Sequence, residues 1–201
     1  MLEAIPSPKL FSPGKIGWME LRNRVVMAPM VVQLASENGA VTARTVDHYV
    51  RRAKGGAGLL IVEASFIAPL GKAWPCQLGI DRDALVPGHF DLVEAIHRNG
   101  AKVALQLHHG GVRANPALTG GVLVAPSPVA EEGVGAVPRA LTESEIEALA
   151  DSYARAAQRA QVAGYDAVEF HGAHGYLIHQ FLSPASNLRS DAYGGSPENR
   201  L

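Results

Sequence analysis

The hydrophobic positions of the chain gather into four short runs, Arg24–Met30, Leu59–Glu63, Lys102–Gln106 and Asp166–Phe170. None of them alternates apolar with polar residues. Aliphatic runs of this length predict strands of a parallel sheet covered on both faces. Between the runs, apolar residues recur at helical spacing. Thr45–Gly55 ends at a Gly-Gly pair, and Phe90–Arg98 carries Phe90, Val93 and Ile96 on one side before Asn99-Gly100. The third pattern is the fullest. Thr142-Glu-Ser-Glu145 reads as a capping box, and Ile146, Leu149, Tyr153, Ala156, Ala157 and Ala160 make one face before Gly164.

A unit of strand, helix, glycine and strand therefore recurs without any sequence repeat, and parallel strands joined this way need right-handed crossovers. One segment breaks the rhythm. Residues 110–140 are rich in Gly, Pro, Ala and Val and separate the third strand from its helix. A loop that long inside an α/β unit predicts a lid-like or binding insertion. Two α/β architectures accommodate the units, an open doubly wound sheet and a (β/α)8 TIM barrel. The glycine-rich dinucleotide fingerprint is absent after the first strand, where Ala28-Pro29-Met30 stands, and this favours the barrel. A barrel needs eight strands and about 250 residues. The expectation is therefore one domain over residues 1–201, a partial barrel of roughly the first four βα units.

Composition narrows the class of partner. Apolar residues make up 47% and charged residues 18%, so the chain can bury a core. Lys and Arg number 18 against 19 Asp and Glu, and this balance gives no electrostatic reason to expect nucleic acid or an anionic membrane as partner. The single cysteine, Cys76, excludes an internal disulfide framework and a multi-cysteine metal site within these residues. Met1–Pro13 lacks the basic-then-apolar pattern of a signal peptide, and no apolar run approaches the roughly 18 residues of a membrane helix. A cytoplasmic protein is the expectation.

Parallel α/β folds collect their sites at the carboxyl ends of the strands. Here those ends read Ala28-Pro29-Met30, Glu63-Ala64-Ser65, Gln106-Leu107-His108-His109-Gly110-Gly111 and Glu169-Phe170-His171-Gly172-Ala173-His174-Gly175-Tyr176. The His171-x-x-His174 pair leaves three readings open. It could bind a metal with His108, His109 or Glu169 recruited, although no H-E-x-x-H or His-x-His pattern supports this. It could be two satisfied polar residues at a strand end. Or two neutral imidazoles could converge on a carbonyl oxygen and polarise it. Tyr176 is either an ordinary amphipathic aromatic or a phenol able to protonate a carbanion or enolate. Gln106 either caps a loop or donates and accepts toward a planar heterocycle. The tail Ser186–Arg200, too polar for a core, predicts a hydrogen-bond and ion-pair lattice around the loop after the fourth strand.

The sequence resembles the Old Yellow Enzyme family, the NADH:flavin oxidoreductase group that includes 2,4-dienoyl-CoA reductase-like ene-reductases. Leu21–Met30 is similar to the family's opening strand and Gly58–Ala64 to its second. The most specific match runs from His171 to Pro184 and on through Tyr193-Gly194-Gly195 and Glu198-Asn199-Arg200. The resemblance implies a TIM barrel holding FMN at the carboxyl ends of its strands, with NADH or NADPH as reductant and an activated alkene or enoyl compound as substrate. By position, Ala28, Pro29 and Met30 would line the flavin edge, Ala64 would pack beside it, and Gln106 would hydrogen-bond its pyrimidine end. His171 and His174 would bind the substrate's carbonyl oxygen, Tyr176 would donate the proton, and no metal is implied. Where the family commonly places a Thr or Cys against the flavin, this chain has Val31, which offers no hydrogen bond. The resemblance covers the family's N-terminal half. It leaves two expectations, an ene-reductase chain that associates with a complementing C-terminal half or a second copy, and a catalytically silent half-barrel that acts by association alone.

Overall fold

The computed structural model describes residues 8–131 and 136–201. Part of the leader expectation, residues 1–7, and positions 132–135 of the insertion lie outside the described residues. A helical turn, α1 (Pro8–Phe11), and an antiparallel pair, β1 (Gly14–Ile16) and β2 (Met19–Leu21), come first. Then follow β3 (Val26–Met27), α2 (Ala43–Lys54), β4 (Leu59–Phe66), α3 (Val86–His97) and β5 (Lys102–His108). The chain continues with β6 (Val124–Ala125), β7 (Arg139–Ala140), α4 (Glu143–Val162), β8 (Ala167–Phe170), α5 (Leu177–Leu182) and α6 (Pro197–Arg200). The central sheet has the order β3-β4-β5-β8, and every neighbouring pair is parallel. The four strands expected from the hydrophobic runs thus lie side by side in chain order, as successive βα units.

The sheet alternates its burden between two faces. Leu60, Val62, Val103, Leu105 and Leu107 pack against Tyr49 and Ala53 of α2, Leu92 and Ile96 of α3, and Ala156 and Ala160 of α4. On the other face Leu59 and Ala104 pack with Met19 and Leu21 from the β1–β2 pair and with the half-buried Ile61 and Ala167. Double coverage, expected for all four strands, holds for β4 and β5. It fails for the two edge strands: in β3 Val26 is exposed and Met27 half-buried, and in β8 Ala167–Glu169 are half-buried and Phe170 is exposed, with α4 covering one face of β8.

Two boundaries also moved for identifiable reasons. The first strand, expected over Arg24–Met30, pairs only at Val26–Met27. Pro29 has no N–H to give a ladder and restricts Ala28 before it. Helix α3 begins at Val86 instead of Phe90, because Pro87 is well tolerated in a first turn whose N–H groups lack intrahelical partners. Within β4 the register with β5 shifts between Val62 and Ser65, where the Glu63 N–H leaves the ladder and donates to Tyr49 Oη at 2.9 Å.

The insertion is packed, not a bare loop. It carries a 3-10 turn at Gly111–Arg113 and the parallel pair β6–β7. The polar tail grips it as a lattice. Arg189 Nη1 donates to the carbonyls of Pro126 at 2.9 Å and Leu141 at 2.6 Å, and Leu188 N donates to Ser127 Oγ at 2.9 Å. Asn187 Nδ2 donates to the carbonyls of Phe181 and Tyr193, and Arg189 pairs with Asp191. Among the described residues no helix is long and apolar enough to cross a membrane.

Candidate active site

Parallel strands run in one direction, so their carboxyl ends gather on one rim. Here the ends of β3, β4, β5 and β8 open onto a cavity of about 800 Å³. All eight candidate site residues line it. Ala28, Pro29 and Met30 follow β3, Ala64 lies in β4, Gln106 lies in β5, and His171, His174 and Tyr176 follow β8. Residues 29–31 make no backbone–backbone hydrogen bond with the described residues, which leaves the N–H groups of Met30 and Val31 available to a ligand.

Gln106 is buried and stands directly opposite Glu169 in the β5–β8 register. Its Nε2 donates to Glu169 Oε1 at 2.6 Å. That bond fixes the amide orientation, so the Gln106 carbonyl oxygen and one N–H hydrogen remain for a ligand.

The two imidazoles meet at 3.4 Å, His171 Nε2 to His174 Nδ1. The Ala173 N–H reaches His171 Nδ1 at 3.4 Å, which assigns the proton of the neutral ring to Nε2. Burial, with the neighbouring His174 second, holds the His171 pKa below the usual imidazole range. Tyr176 is the N-cap residue of α5, with its ring centroid 4.8 Å from His171 and 4.5 Å from His108, edge-on to both. Burial raises its pKa, opposed by the positive charge of Arg113. A half-buried phenol beside two imidazoles stays protonated until a stronger base forms next to it.

His108 and His109 do not join the pair as ligands. His108 Nδ1 faces the Gln77 amide nitrogen at 3.1 Å, and burial, then His171 and His109, push its pKa down to about 3. His109 Nδ1 accepts from the Gly111 N–H at 3.1 Å. Among the described residues no three His, Cys, Asp or Glu side chains come together as a metal site. Two further cavity residues escaped the reading of the sequence. Trp74, from the loop after β4, has its ring centroid 5.7 Å from His108, tilted, and 6.1 Å from Tyr176, edge-on, and nothing in its surroundings along the chain signals this. Glu169 was weighed only as a metal ligand, and its contact with Gln106 becomes visible once the third and fourth strands are set in register.

Residues 9–201 match the profile of the NADH:flavin oxidoreductase / NADH oxidase family. The chain is 50% identical over 196 residues to an NADH oxidase from Thermoanaerobacter brockii, covering 96% of this chain and 30% of that protein. It is 43% identical over 193 residues to an NADPH dehydrogenase from Bacillus subtilis strain 168, covering 96% and 56%. The fold superposes on the Old Yellow Enzyme homologue from Zymomonas mobilis with a TM-score of 0.89 and 37% identity, covering 96% of this chain and 56% of that one. The chain thus spans about half the length of two of these proteins and less than a third of the other.

Proposed function

The chain belongs to the NADH:flavin oxidoreductase / NADH oxidase family, and its four βα units are a partial Old Yellow Enzyme-type barrel; from that premise we propose that it forms the alkene-reducing part of an FMN-dependent ene-reductase driven by NADH or NADPH. One observation carries the reading. An unpaired backbone strip, the small Ala64, a buried amide and a His-His-Tyr trio reach one cavity from four separate strand ends.

The donor set fits a flavin. The free N–H groups after Pro29, the Gln106 amide and the small Ala64 suit a planar heteroaromatic ring with alternating donors and acceptors along its edge. Ala28, Pro29 and Met30 would hold that edge through backbone groups, Ala64 would pack beside it, and Gln106 would hydrogen-bond its pyrimidine end. Bound FMN supplies the hydride chemistry. The protein's share is orientation and electrostatics. His171 offers its Nε2–H, only weakly engaged by His174 Nδ1 at 3.4 Å, and His174 offers its other ring nitrogen to the carbonyl oxygen of an α,β-unsaturated substrate. Negative charge builds on that oxygen as the β-carbon is reduced, so the two donors stabilise the transition state more than the ground state. Tyr176 then gives its Oη proton to the α-carbon.

The test is direct. The chain is mixed with FMN, alone and with a polypeptide supplying the remaining length of its relatives, and flavin absorbance and fluorescence are followed. The expected result is a yellow protein that NADH or NADPH bleaches and cyclohexenone recolours. Flavin binding only in the mixture makes this chain, by itself, the silent half-barrel. No flavin binding in either mixture ends the ene-reductase reading.

A further inference from the structure

The loop carrying His174 and Tyr176 turns through left-handed backbone, with φ of 58° at His174 and 73° at Gly175. A non-glycine residue keeps such a φ only where its surroundings hold it. One side chain does much of the holding. Arg113, in the 3-10 turn after β5, donates from Nη1 to the His174 carbonyl at 2.8 Å. Its guanidinium also lies so close under Gly175 that a Cβ there would overlap it. The remaining edge of the same plane engages Glu131, with Nε 2.6 Å from Oε1.

We propose that Arg113 is a positioning residue for His174 and Tyr176, clamping the His174–Gly175 turn with Glu131 as its anchor. The inference rests on the ene-reductase reading for its chemical meaning, though the clamp itself does not. A planar fork can hold a carbonyl, a carboxylate and a peptide face together, and a lysine ammonium cannot. The clamp also has an electrostatic effect. His108 from β5 and His171 from the same loop face Tyr176, and burial holds both below the usual imidazole range, so both are neutral near pH 7. His174 flanks His171, and Arg113 brings a fixed positive charge. That charge favours the phenolate that remains once Tyr176 has given up its proton.

The experiment reads Tyr176 itself. The full chain is prepared with tyrosine isotope-labelled at Cζ, and the Tyr176 resonance is assigned by its loss in Tyr176→Phe and titrated by NMR. Arg113→Gln should move the Tyr176 midpoint up. Glu131→Gln, which keeps an amide oxygen as acceptor for Arg113 Nε but removes the negative charge, should move it down. Arg113→Lys, which keeps the charge but not the fork, should return the midpoint toward the value of the unsubstituted chain yet leave alkene reduction slowed. With flavin and the complementing polypeptide present, Arg113→Gln should also slow alkene reduction by roughly tenfold or more, while flavin reduction by NAD(P)H changes little. Unmoved midpoints in folded Arg113→Gln and Glu131→Gln would overturn the proposal, even in an active reductase. Shifted midpoints in a chain that never reduces an alkene would uphold the clamp and discard the ene-reductase reading.

Discussion

At Tyr176 three influences act on one phenol: burial, two neighbouring imidazoles and the Arg113 charge. The proposed role makes a sharp kinetic prediction. Tyr176→Phe should slow the alkene half-reaction by about 10²-fold or more, the usual worth of general acid catalysis, and leave flavin reduction by NAD(P)H within about twofold. Stopped-flow measurement of the two half-reactions checks this, and an equal loss in both would remove the proton-donor role. His171→Ala should likewise cost on the order of 10²-fold in the alkene half-reaction, the typical loss for one oxyanion donor. At this scale the chain was readable where residues sit next to each other along it, as His171, His174 and Tyr176 do. Trp74 and Arg113 were not. Each comes from a different loop, and only the packing of those loops brings it to the site.

Among the elements, β4 and α4 show how local signals become stability. The Glu63 N–H, taken out of the ladder, has Tyr49 Oη as its acceptor inside the core. Tyr49→Phe leaves that buried N–H unsatisfied and should cost about 1–3 kcal/mol, measured by urea unfolding. Helix α4 starts at the capping box foreseen at Thr142, where Thr142 Oγ1 accepts from Glu145 N at 3.3 Å and Glu145 Oε2 accepts from Thr142 N at 2.9 Å. Thr142→Ala should cost about 1 kcal/mol in the same assay. Helix and strand existence followed from periodicity because burial selects it. Strand ends were less legible. The short β3 depends on the missing N–H of Pro29, and the extension of β5 to His108 depends on the β4 residues lying opposite it, Phe66 included.

Across the molecule, three fully buried histidines tie stability to pH. Burial pushes His89 and His109 down to about 4 and His108 to about 3. His89 is neutral between the Tyr165 hydroxyl at 2.7 Å and the Gly79 carbonyl at 2.9 Å. In the unfolded chain an imidazole titrates near 6.5, so below that pH the unfolded state binds more protons than the folded one. Stability from these groups is complete above about pH 6.5 and is lost as pH falls toward the folded values. Thermal denaturation should therefore give a melting temperature nearly flat from pH 7 to 8 and falling steadily toward pH 4.5. His89→Gln should make that fall shallower, and an unchanged slope would show that His89 does not contribute.

Chain-local patterns specified the four parallel βα units and the rim on which chemistry collects, and family resemblance picked out eight of the residues that line it. The units and the rim follow from hydrophobic period, capping residues, and the rule that a strand's last residues face the same end of the sheet as its parallel neighbours'. Tertiary structure alone decided that Glu169 orients Gln106, that Arg113 grips the His174 turn, and that the long insertion is bound down by the polar tail. Those contacts join residues about 60 positions apart in the chain. No local pattern encodes such pairs, because they are selected by three-dimensional register and loop packing and leave each segment's own periodicity unchanged.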